Sequence, residues 1–587
     1  MKSLIKKFSI LLFVSLVSAC SVLNSAEKSD ANARLTALME TYAQQKFEAS
    51  PLAASMFGAK VAPDSLDDVS EEAQAAAIAR MTAALAELAG IPFASLSPDN
   101  QLNYEIFQWM LEREKVTLNS NWRYVNFNTV GGWHSSFAQI MAMTAFSNEQ
   151  SYRDYLSRLE KFGRFVDQNI ALMDKAISAG YAQPCAALGG YENGIVGYIS
   201  KTPEASVFYA PFMRLPATMD QSMKGEAKRL ISEVVNPGYQ RYYRYFTERY
   251  KPSCRKNIAL SSAPGGAKLY EHFVRFYTSL DTTADEAHAL GLSEVARIRT
   301  EMDAIIAEVG FKGSFSDFLK FLRTDKQFYT DDPAHYRAVI AEIAKRTDGL
   351  MPNYFSHLPR NPYGIKPVPA AIAPKTATAF YQPGAVDGTR AGQYFYNTHD
   401  LGSRPLYELP ALSLHEGVPG HHHQISLQQE VDNMPTFRQS YYFHAFGEGW
   451  GLYSEFLGEE MGMYQTPYER FGKLIYEMWR ACRLVVDSGM HAKGWTRQQA
   501  IDFMAENTAL TLHNITSEVD RYITYPGQAQ AYKHGELKIR ELRARAENAL
   551  GDKFSLREFH TAVLGAGSLP LLVLERRIDR WIAEQNK

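Results

Sequence analysis

The helical period of its apolar residues is the feature that most restricts the fold of this chain. Over most of the 587 residues, apolar side chains recur at positions i, i+3, i+4 and i+7, a spacing that places them on one face of an α-helix. The pattern is clear over 31–47, 71–89, 149–177, 285–309 and 332–346. Because strand-like runs are few, the sequence predicts a mainly helical protein.

Segment 376–398 is the clearest departure from the helical pattern. It contains two short runs rich in β-forming residues around a loop with Pro, Gly and Asp, which predicts a β-hairpin. The loop-rich zone 350–405 is the one candidate seam in the chain. It separates an N-terminal helical half, 35–350, from a half that carries a histidine cluster, 351–587, and we expect both halves to form one compact unit.

The N-terminus is typical of a secretory signal. Three lysines within the first seven residues precede an apolar run over 8–19, and Cys20 follows. The run is shorter than the about 20 residues that a membrane-spanning helix needs, and it fits the apolar core of a signal peptide. Because small residues directly precede Cys20, segment 1–20 resembles a bacterial lipoprotein signal whose cysteine becomes lipidated. A plain signal peptide with an incidental cysteine is the alternative.

The export signal also bounds the location and the partners of the protein. Segment 21–34 is predicted to be a polar tether, so the lipid anchor would be the only contact with a membrane. Ser21 stands where an aspartate would favour the inner membrane, so we expect the periplasmic face of the outer membrane. The formal net charge of −2 provides no basic surface for nucleic acid, and none is expected as a partner.

Three cysteines remain if Cys20 is lipidated, namely Cys185, Cys254 and Cys482. An exported protein can form disulfides. Cys185 and Cys254 both lie in loop sequence that contains proline, so we expect them to pair. Cys482 lies inside an apolar helical pattern and is expected to be a buried thiol.

The candidate site begins at His415 and Glu416, which resemble the start of the zinc-peptidase signature H-E-x-x-H. In that signature two histidines lie one helical turn apart, and the glutamate beside the first one reaches the water on the metal. Here Pro419 occupies the position of the second histidine, and the next histidine is His421. On an unbroken helix His421 would be turned by about 240° from His415, so the two rings could not share a metal.

The residues between the two histidines resolve this mismatch. Segment 417–420 is Gly-Val-Pro-Gly, and a proline with flanking glycines interrupts a helix. The sequence therefore predicts a kink that returns His421 to His415. His422 is the alternative ligand. Three histidines in a row are also typical of a surface cluster, but a surface cluster does not require the preceding His-Glu pair.

A third metal ligand is predicted on the following helix. Glu448 and Glu455 lie seven residues apart on a face otherwise rich in aromatic residues, where an unpaired carboxylate is costly to bury. We assign Glu448 to the metal and Glu455 to a position where it orients a ligand histidine. Two histidines and a carboxylate favour Zn²⁺, with Glu416 as the general base that takes a proton from the attacking water.

Two further segments are candidates for supporting roles. Asp487 and His491 share one helix side, which either faces the site or forms an ordinary ion-pair ladder. Arg521, Tyr522 and Tyr525 precede a Pro-Gly turn, and their side chains are of the type that donates hydrogen bonds to an oxyanion. A purely structural loop is the alternative there.

Seven ordered motifs carry a family resemblance over most of the chain. They are LGLSEVARIRTEM, YFSHLPRNP, VDGTRAGQYFYNT, LHEGVPGHHHQ, GEGWGLYSE, RLVVDSGMHAKGWT and EVDRYITYPGQAQAYKHG. On these the chain is identified as a member of the bacterial domain-of-unknown-function family 885, often grouped with the gluzincin-type zinc peptidases. The family pattern covers His415 to His422, whereas His423 stands where an apolar residue is usual.

The wider gluzincin resemblance, to oligopeptidases and the carboxypeptidase Taq type, implies a fold and an activity. It implies a large helical body split by a deep channel, with a small sheet whose edge, the hairpin at 376–398, lies beside the substrate. It also implies that Glu448 is the third ligand and that short peptides are the substrates. The expected function is therefore a lipid-anchored zinc metallopeptidase. A non-catalytic lipoprotein of this fold that binds peptides or protein partners is the alternative, and hydrolysis of a non-peptide amide is a third.

Overall fold

The structure is a computed structural model that describes residues 28–587 apart from positions 29, 60, 371, 372, 374–376, 387 and 389, and gives no side chains for 140–143. The predicted signal 1–20 with Cys20, and most of the predicted tether, lie outside the described residues. Within the part of the chain that is described, no helix is long and apolar enough to cross a membrane.

The protein is mainly helical, as the sequence predicts. In the N-terminal half the α-helices are α1 (30–49), α2 (Pro51–Phe57), α3 (Glu71–Ala89), α4 (Pro98–Asn119), α5 (Trp133–Met143), α6 (Glu149–Ser178), α7 (Tyr191–Val196), α8 (Ala210–Met213), α9 (Ser222–Leu230), α10 (Asn236–Tyr245), α11 (Gly266–Thr278), α12 (Ala284–Glu308), α13 (Phe315–Thr324) and α14 (Pro333–Tyr354). Local sequence sets several of the helix boundaries. At the start of α12, for example, Thr283 forms a reciprocal capping box with Glu286.

The second half carries the remaining helices. They are α15 (Leu409–Glu416), α16 (His421–Gln429), α17 (Thr436–Gln439), α18 (His444–Glu460), α19 (Pro467–Ala492), α20 (Arg497–Asn507), α21 (Leu512–Thr524), α22 (Ala531–Leu550), α23 (Leu556–Leu564) and α24 (Leu571–Gln585). Two long helices from different halves pack side by side, since α12 lies along α19 with Gly291 against Val485; a Cβ on Gly291 would lie 2.7 Å from Val485 Cγ2.

A small three-stranded sheet lies in the loop-rich zone at the start of the second half. Its strands are β3 (Tyr363–Pro367), β4 (Ala379–Gln382) and β5 (Gly392–Tyr396), in the order β3-β5-β4. β4 and β5 pair antiparallel, which confirms the predicted hairpin, and β3 pairs parallel to β5. A second, two-stranded sheet joins β1 (Phe127–Asn128) to β2 (Gly131–Gly132).

Close contact between α18 and α22 positions the predicted ligand helix. Gly449 on α18 faces Gly535 on α22, and a Cβ on Gly449 would lie 2.4 Å from the Gly535 Cα. The two helix backbones therefore touch at this crossing. The residue before Gly449 is Glu448, so the crossing also sets where the predicted carboxylate ligand lies.

The predicted disulfide is present. Cys185 and Cys254 are bonded, and the neighbouring chain segments also pair through the Cys185 amide, which donates to the Arg255 carbonyl at 2.9 Å. Cys482 on α19 is fully buried and free, as the sequence predicts. The bond closes a long loop in the N-terminal half, far along the chain from the histidine cluster.

Candidate metal centre

The helix that carries His415 stops where the sequence predicts an interruption. α15 ends at Glu416, and α16 begins at His421, so the predicted kink is a complete break between two helices. Gly420 makes this break possible, because a Cβ there would lie 2.0 Å from the His415 carbonyl oxygen. The chain folds back tightly over the end of α15, and only glycine fits.

The break brings three side chains together. One nitrogen each of His415 and His421 and a carboxylate oxygen of Glu448 lie within 4.8 Å of one another. The Glu448 Oε2 is 3.7 Å from the His415 Nε2 and 3.6 Å from the His421 Nε2. These separations exceed hydrogen-bond length, and they lie near the about 3.4 Å expected between two ligands of a tetrahedral zinc ion. The geometry and donor set therefore fit Zn²⁺.

Glu455 fixes the orientation of His415. Its Oε1 is 2.8 Å from the His415 Nδ1, and its side chain is buried. A carboxylate at one ring nitrogen holds the proton there and leaves the other nitrogen, Nε2, free to bind a metal. Gly451 allows the ring to lie flat against α18, since a Cβ there would come within 2.6 Å of it.

The electrostatics at His415 favour positive charge. Burial alone would lower the pKa of His415, but the carboxylates of Glu448 and Glu455 outweigh it and raise that pKa to about 10. The pocket that surrounds the imidazole therefore stabilises a cation.

The sequence of the chain matches the model of a known protein family. The family model described as a bacterial protein of unknown function, DUF885, matches residues 51–578. The chain belongs to DUF885. A candidate lipoprotein from Colwellia psychrerythraea is similar in structure to this DUF885 chain, with a TM-score of 0.87 and 28% sequence identity over 94% of this chain and 100% of that one.

A second solved structure has the same fold at lower identity. It is a candidate lipoprotein of unknown function from Shewanella oneidensis, with a TM-score of 0.71 and 18% identity over 92% of this chain and 98% of that one. No curated protein matches the chain significantly. The family membership predicted from the seven motifs is confirmed; the relation to zinc peptidases stays a prediction.

Glu416 follows His415 at the end of α15 and is 8% exposed. After burial and Glu448, its carboxylate is among the groups that raise the pKa of Tyr442. Glu416 and Glu448 are therefore both within electrostatic reach of the Tyr442 phenol.

Tyr442 is a member of the site that sequence reasoning missed. Its hydroxyl donates to the Glu448 Oε1 at 3.3 Å, which leaves Oε2 to face the histidines. Burial raises its pKa well above the usual value, yet the side chain is 38% exposed. The Tyr442 hydroxyl is therefore held at Glu448 while part of the ring faces solvent. The sequence gives only a weak indication of Tyr442, because this residue lies in the loop before α18, where helical spacing does not apply.

His422 is not brought to the candidate ligands. Its Nδ1 lies 2.9 Å from the Tyr381 hydroxyl on β4, and its ring packs against Tyr363 on β3. Burial lowers its pKa to about 4, so it is a neutral residue that joins α16 to the sheet. The alternative of His422 as the second ligand is therefore corrected. His423 is fully buried against Phe355 and belongs to the core.

Tyr522 has no hydroxyl proton to offer an oxyanion. It donates to the Glu518 Oε2 at 2.7 Å and accepts from the Arg483 Nε at 2.8 Å and the Trp479 Nε1 at 3.1 Å. The side chain is 1% exposed. The structure thus corrects its predicted role, and Tyr522 is a structural link between α19 and α21.

Asp487 and His491 hold the Pro-Gly turn and do not face the three candidate ligands. The Gly527 amide donates to Asp487 at 3.2 Å, and the His491 Nε2 lies 2.9 Å from the Tyr522 carbonyl oxygen. Both side chains are fully buried. Of the two alternatives, the structural one is observed: the His491 Nε2 lies 3.8 Å from the Asp487 Oδ1, and the contacts of both residues fix the segment that carries Tyr525.

Arg521 and Tyr525 keep partial exposure. The Arg521 Nη2 donates to the Gln528 Oε1 at 2.6 Å and to the Tyr532 hydroxyl at 3.3 Å. The Tyr525 ring packs against Tyr277 with centroids 5.6 Å apart. Both side chains are half-buried and can contact a ligand.

Proposed function

We propose that this DUF885 protein is a zinc-dependent metallopeptidase that hydrolyses short peptides. The observation that carries the proposal is the convergence of the His415 Nε2, the His421 Nε2 and the Glu448 Oε2, with Glu416 directly after His415 in the chain. His415, His421 and Glu448 would hold the ion. A binding protein has no need of a carboxylate in the position of Glu416, so this arrangement favours a catalyst over a non-catalytic peptide-binding lipoprotein.

Zinc, when bound, would act as a Lewis acid on the scissile carbonyl and make a nearby water more acidic. Glu416 takes the proton of the attacking water and delivers it to the amine that leaves. Tyr525 would donate to the oxyanion, because its side chain is only half-buried and the Tyr522 proton is already donated to Glu518. Glu455 keeps His415 in the tautomer that the metal requires.

The small sheet supports an extended peptide as substrate. β4 is an edge strand, and Tyr381 on it contacts His422 on α16, next to the candidate ligand His421. An edge strand can bind an extended peptide through backbone hydrogen bonds. The gluzincin-type arrangement, with a helical body and a channel bordered by this edge, is part of the proposal, and such a channel admits short peptides.

The cellular location is proposed from the N-terminus and the structural relatives. The similar structure from Colwellia psychrerythraea is a candidate lipoprotein, and the segment before Cys20 resembles a lipoprotein signal. We infer an exported lipoprotein of the bacterial cell envelope, anchored at the periplasmic face of the outer membrane.

Metal content and peptide turnover test the proposal. The protein without residues 1–20 is expected to contain about one zinc per chain, and His415→Ala and Glu448→Ala are expected to lose it. His335→Ala, at an exposed residue on α14, is the matched control and is expected to keep it. No bound metal after incubation with zinc would contradict the proposed centre and favour the binding protein.

Glu416→Gln separates binding from catalysis. It is expected to keep the zinc and to lower turnover of a mixed peptide library by about a hundredfold or more, because the general base is removed. Glu506→Gln, at an exposed glutamate on α20, is the control. Wild-type turnover by Glu416→Gln would contradict the mechanism, and cleavage of simple amides but no peptides would favour the non-peptide alternative.

A further inference from the structure

Two arginines share one carboxylate beside the candidate metal centre. Glu518 on α21 lies 3.0 Å from the Arg483 Nη2 and 3.3 Å from the Arg521 Nη1, and both contacts use the same oxygen, Oε2. Among the residues that the structure describes, no other carboxylate lies within ion-pair distance of either guanidinium. The cluster of Arg483, Glu518 and Arg521 therefore carries one positive charge in excess.

Arg483 contributes to this excess charge, and its side chain is held in place by burial between two aromatic rings. It is 3% exposed and lies against Trp479 and Tyr532, with its guanidinium carbon 4.4 and 4.3 Å from the two ring centres. Its Nη1 is buried without a hydrogen-bond partner among the described groups. A buried donor left in this state is costly unless a ligand or a water satisfies it, so the cluster is incomplete by itself.

Arg521 is the member of the cluster that a ligand can reach. Its side chain is 19% exposed. Gln528 and Tyr532 hold the Nη2 end, so the guanidinium is fixed before a ligand arrives. A fixed, partly open guanidinium with uncompensated charge is suited to bind a carboxylate.

A path of contacts connects the cluster to Glu448, one of the candidate metal ligands. Gly449 on α18 touches Gly535 on α22, and Glu448 is the neighbour of Gly449. Tyr532, which accepts from Arg521, lies one helical turn before Gly535, so it is close to Glu448 across the same crossing. Aromatic rings extend from Glu448 on this side: Tyr442 donates a hydrogen bond to Glu448, and its ring centre lies 5.2 Å from that of His444.

Two charges that act on one imidazole support this proximity. Burial lowers the pKa of His444 to about 4; Glu448 raises that pKa and Arg521 lowers it further. Both side chains are thus within electrostatic reach of His444.

We propose that Arg521, with the excess charge of Arg483, binds the C-terminal carboxylate of the peptide substrate, so that the enzyme removes residues from the C-terminal end. This inference rests on the proposed function. A short peptide always carries this anion, whereas an acidic side chain is present in only some sequences. Both have the same chemistry, and the experiment must separate them.

Binding to the Glu416→Gln protein tests the proposal without turnover. Calorimetry compares three short peptides of otherwise equal sequence: a free acid, its C-terminal amide, and the amide with one internal glutamate. We expect the free acid to bind about tenfold to a hundredfold more tightly than either amide, as for a charged hydrogen-bonded pair. Equal binding of acid and amide, or tight binding of the glutamate-containing amide, would overturn the assignment to the terminus.

Variants in this background assign the effect to a residue. Arg521→Gln is expected to bring the ratio of acid to amide affinity close to one, and Glu518→Gln is expected to raise the ratio, because it removes the one compensating negative charge. Arg497→Ala, which loses an ion pair with Asp520 on the same helix α21, is the control and should keep the ratio. A preference for the acid that survives in Arg521→Gln would overturn the proposal.

The same peptides distinguish this proposal from the failure of the proposed function. If the wild-type protein binds the free acid selectively but cleaves no peptide, the catalytic proposal fails and carboxylate recognition stands. If peptides are cleaved with equal kcat/KM as acid and amide, catalysis stands and the terminal site is refuted. Zinc content and melting temperature, measured for each variant, exclude loss of the fold as the cause.

Discussion

Gly420 is the single residue on which the break between α15 and α16 depends most directly. A Cβ there would lie 2.0 Å from the His415 carbonyl oxygen and 2.4 Å from that of Leu414. We expect Gly420→Ala to push α16 away, to cost about 1–3 kcal/mol of stability, and to abolish zinc binding. Thermal unfolding and metal content measure the two effects.

Gly349→Ala is the matched control for this substitution. Gly349 lies in the exposed part of α14, and a Cβ there would meet nothing within 4 Å. Because alanine favours the helix, this variant should gain up to about 1 kcal/mol and keep its zinc. If Gly420→Ala melted and bound zinc like Gly349→Ala, the tight turn would not be what orients the histidines.

The disulfide acts on the elements of the N-terminal half. Cys185 and Cys254 are 69 residues apart, and their bond encloses α7 to α10. Closing a loop of this length lowers the conformational entropy of the unfolded chain. This effect stabilises the folded protein by up to about 4 kcal/mol. We expect the double variant Cys185→Ser, Cys254→Ser to unfold at a lower urea concentration than the wild type.

Reductant provides the control for the disulfide. It should lower the urea midpoint of the wild type and leave that of the double variant unchanged, since Cys482 is a buried free thiol in both. A wild type whose midpoint did not move on reduction would show that these elements are held by packing alone.

An ion network around Lys533 joins distant parts of the whole molecule. Lys533 on α22 is fully buried, 2.7 Å from Glu477 on α19 and 3.1 Å from Glu294 on α12, and also pairs with Glu536. Lys533→Met would remove the positive charge that helps to neutralise the carboxylates of Glu294, Glu477 and Glu536. We expect a loss of about 3–5 kcal/mol, measured by urea unfolding. Lys345→Met, at a surface pair, should change stability by less than about 1 kcal/mol.

The same network predicts a pH dependence. Burial alone would raise the pKa of Glu477, but Lys533, Lys473 and Arg297 outweigh it and hold that pKa well below its usual value. The stabilisation by Glu477 is therefore complete above the unfolded pKa, about 4.3, and is lost as the pH falls below it. The Lys533→Met variant should lose less stability than the wild type over this acid range, and an equal loss would contradict this account.

The sequence by itself determined the parts of this protein that depend on short spacings. The helical period placed α3, α6 and α12 almost to the residue, because helix formation is decided by neighbours within a few turns. The β4–β5 hairpin followed from adjacent runs, whereas β3 was missed, since its parallel pairing with β5 is not local. Pro419 and its glycines predicted the interruption that the structure contains.

Only the tertiary structure decided which side chains meet. Spacing selected His415, His421, Glu448 and Glu455, and these converge because α15, α16 and α18 pack together. Spacing could not show that Tyr522 gives its proton to Glu518, or that Asp487 holds a turn. Those outcomes depend on the direction of each side chain after helices far apart in sequence pack, and a one-dimensional pattern does not contain that direction.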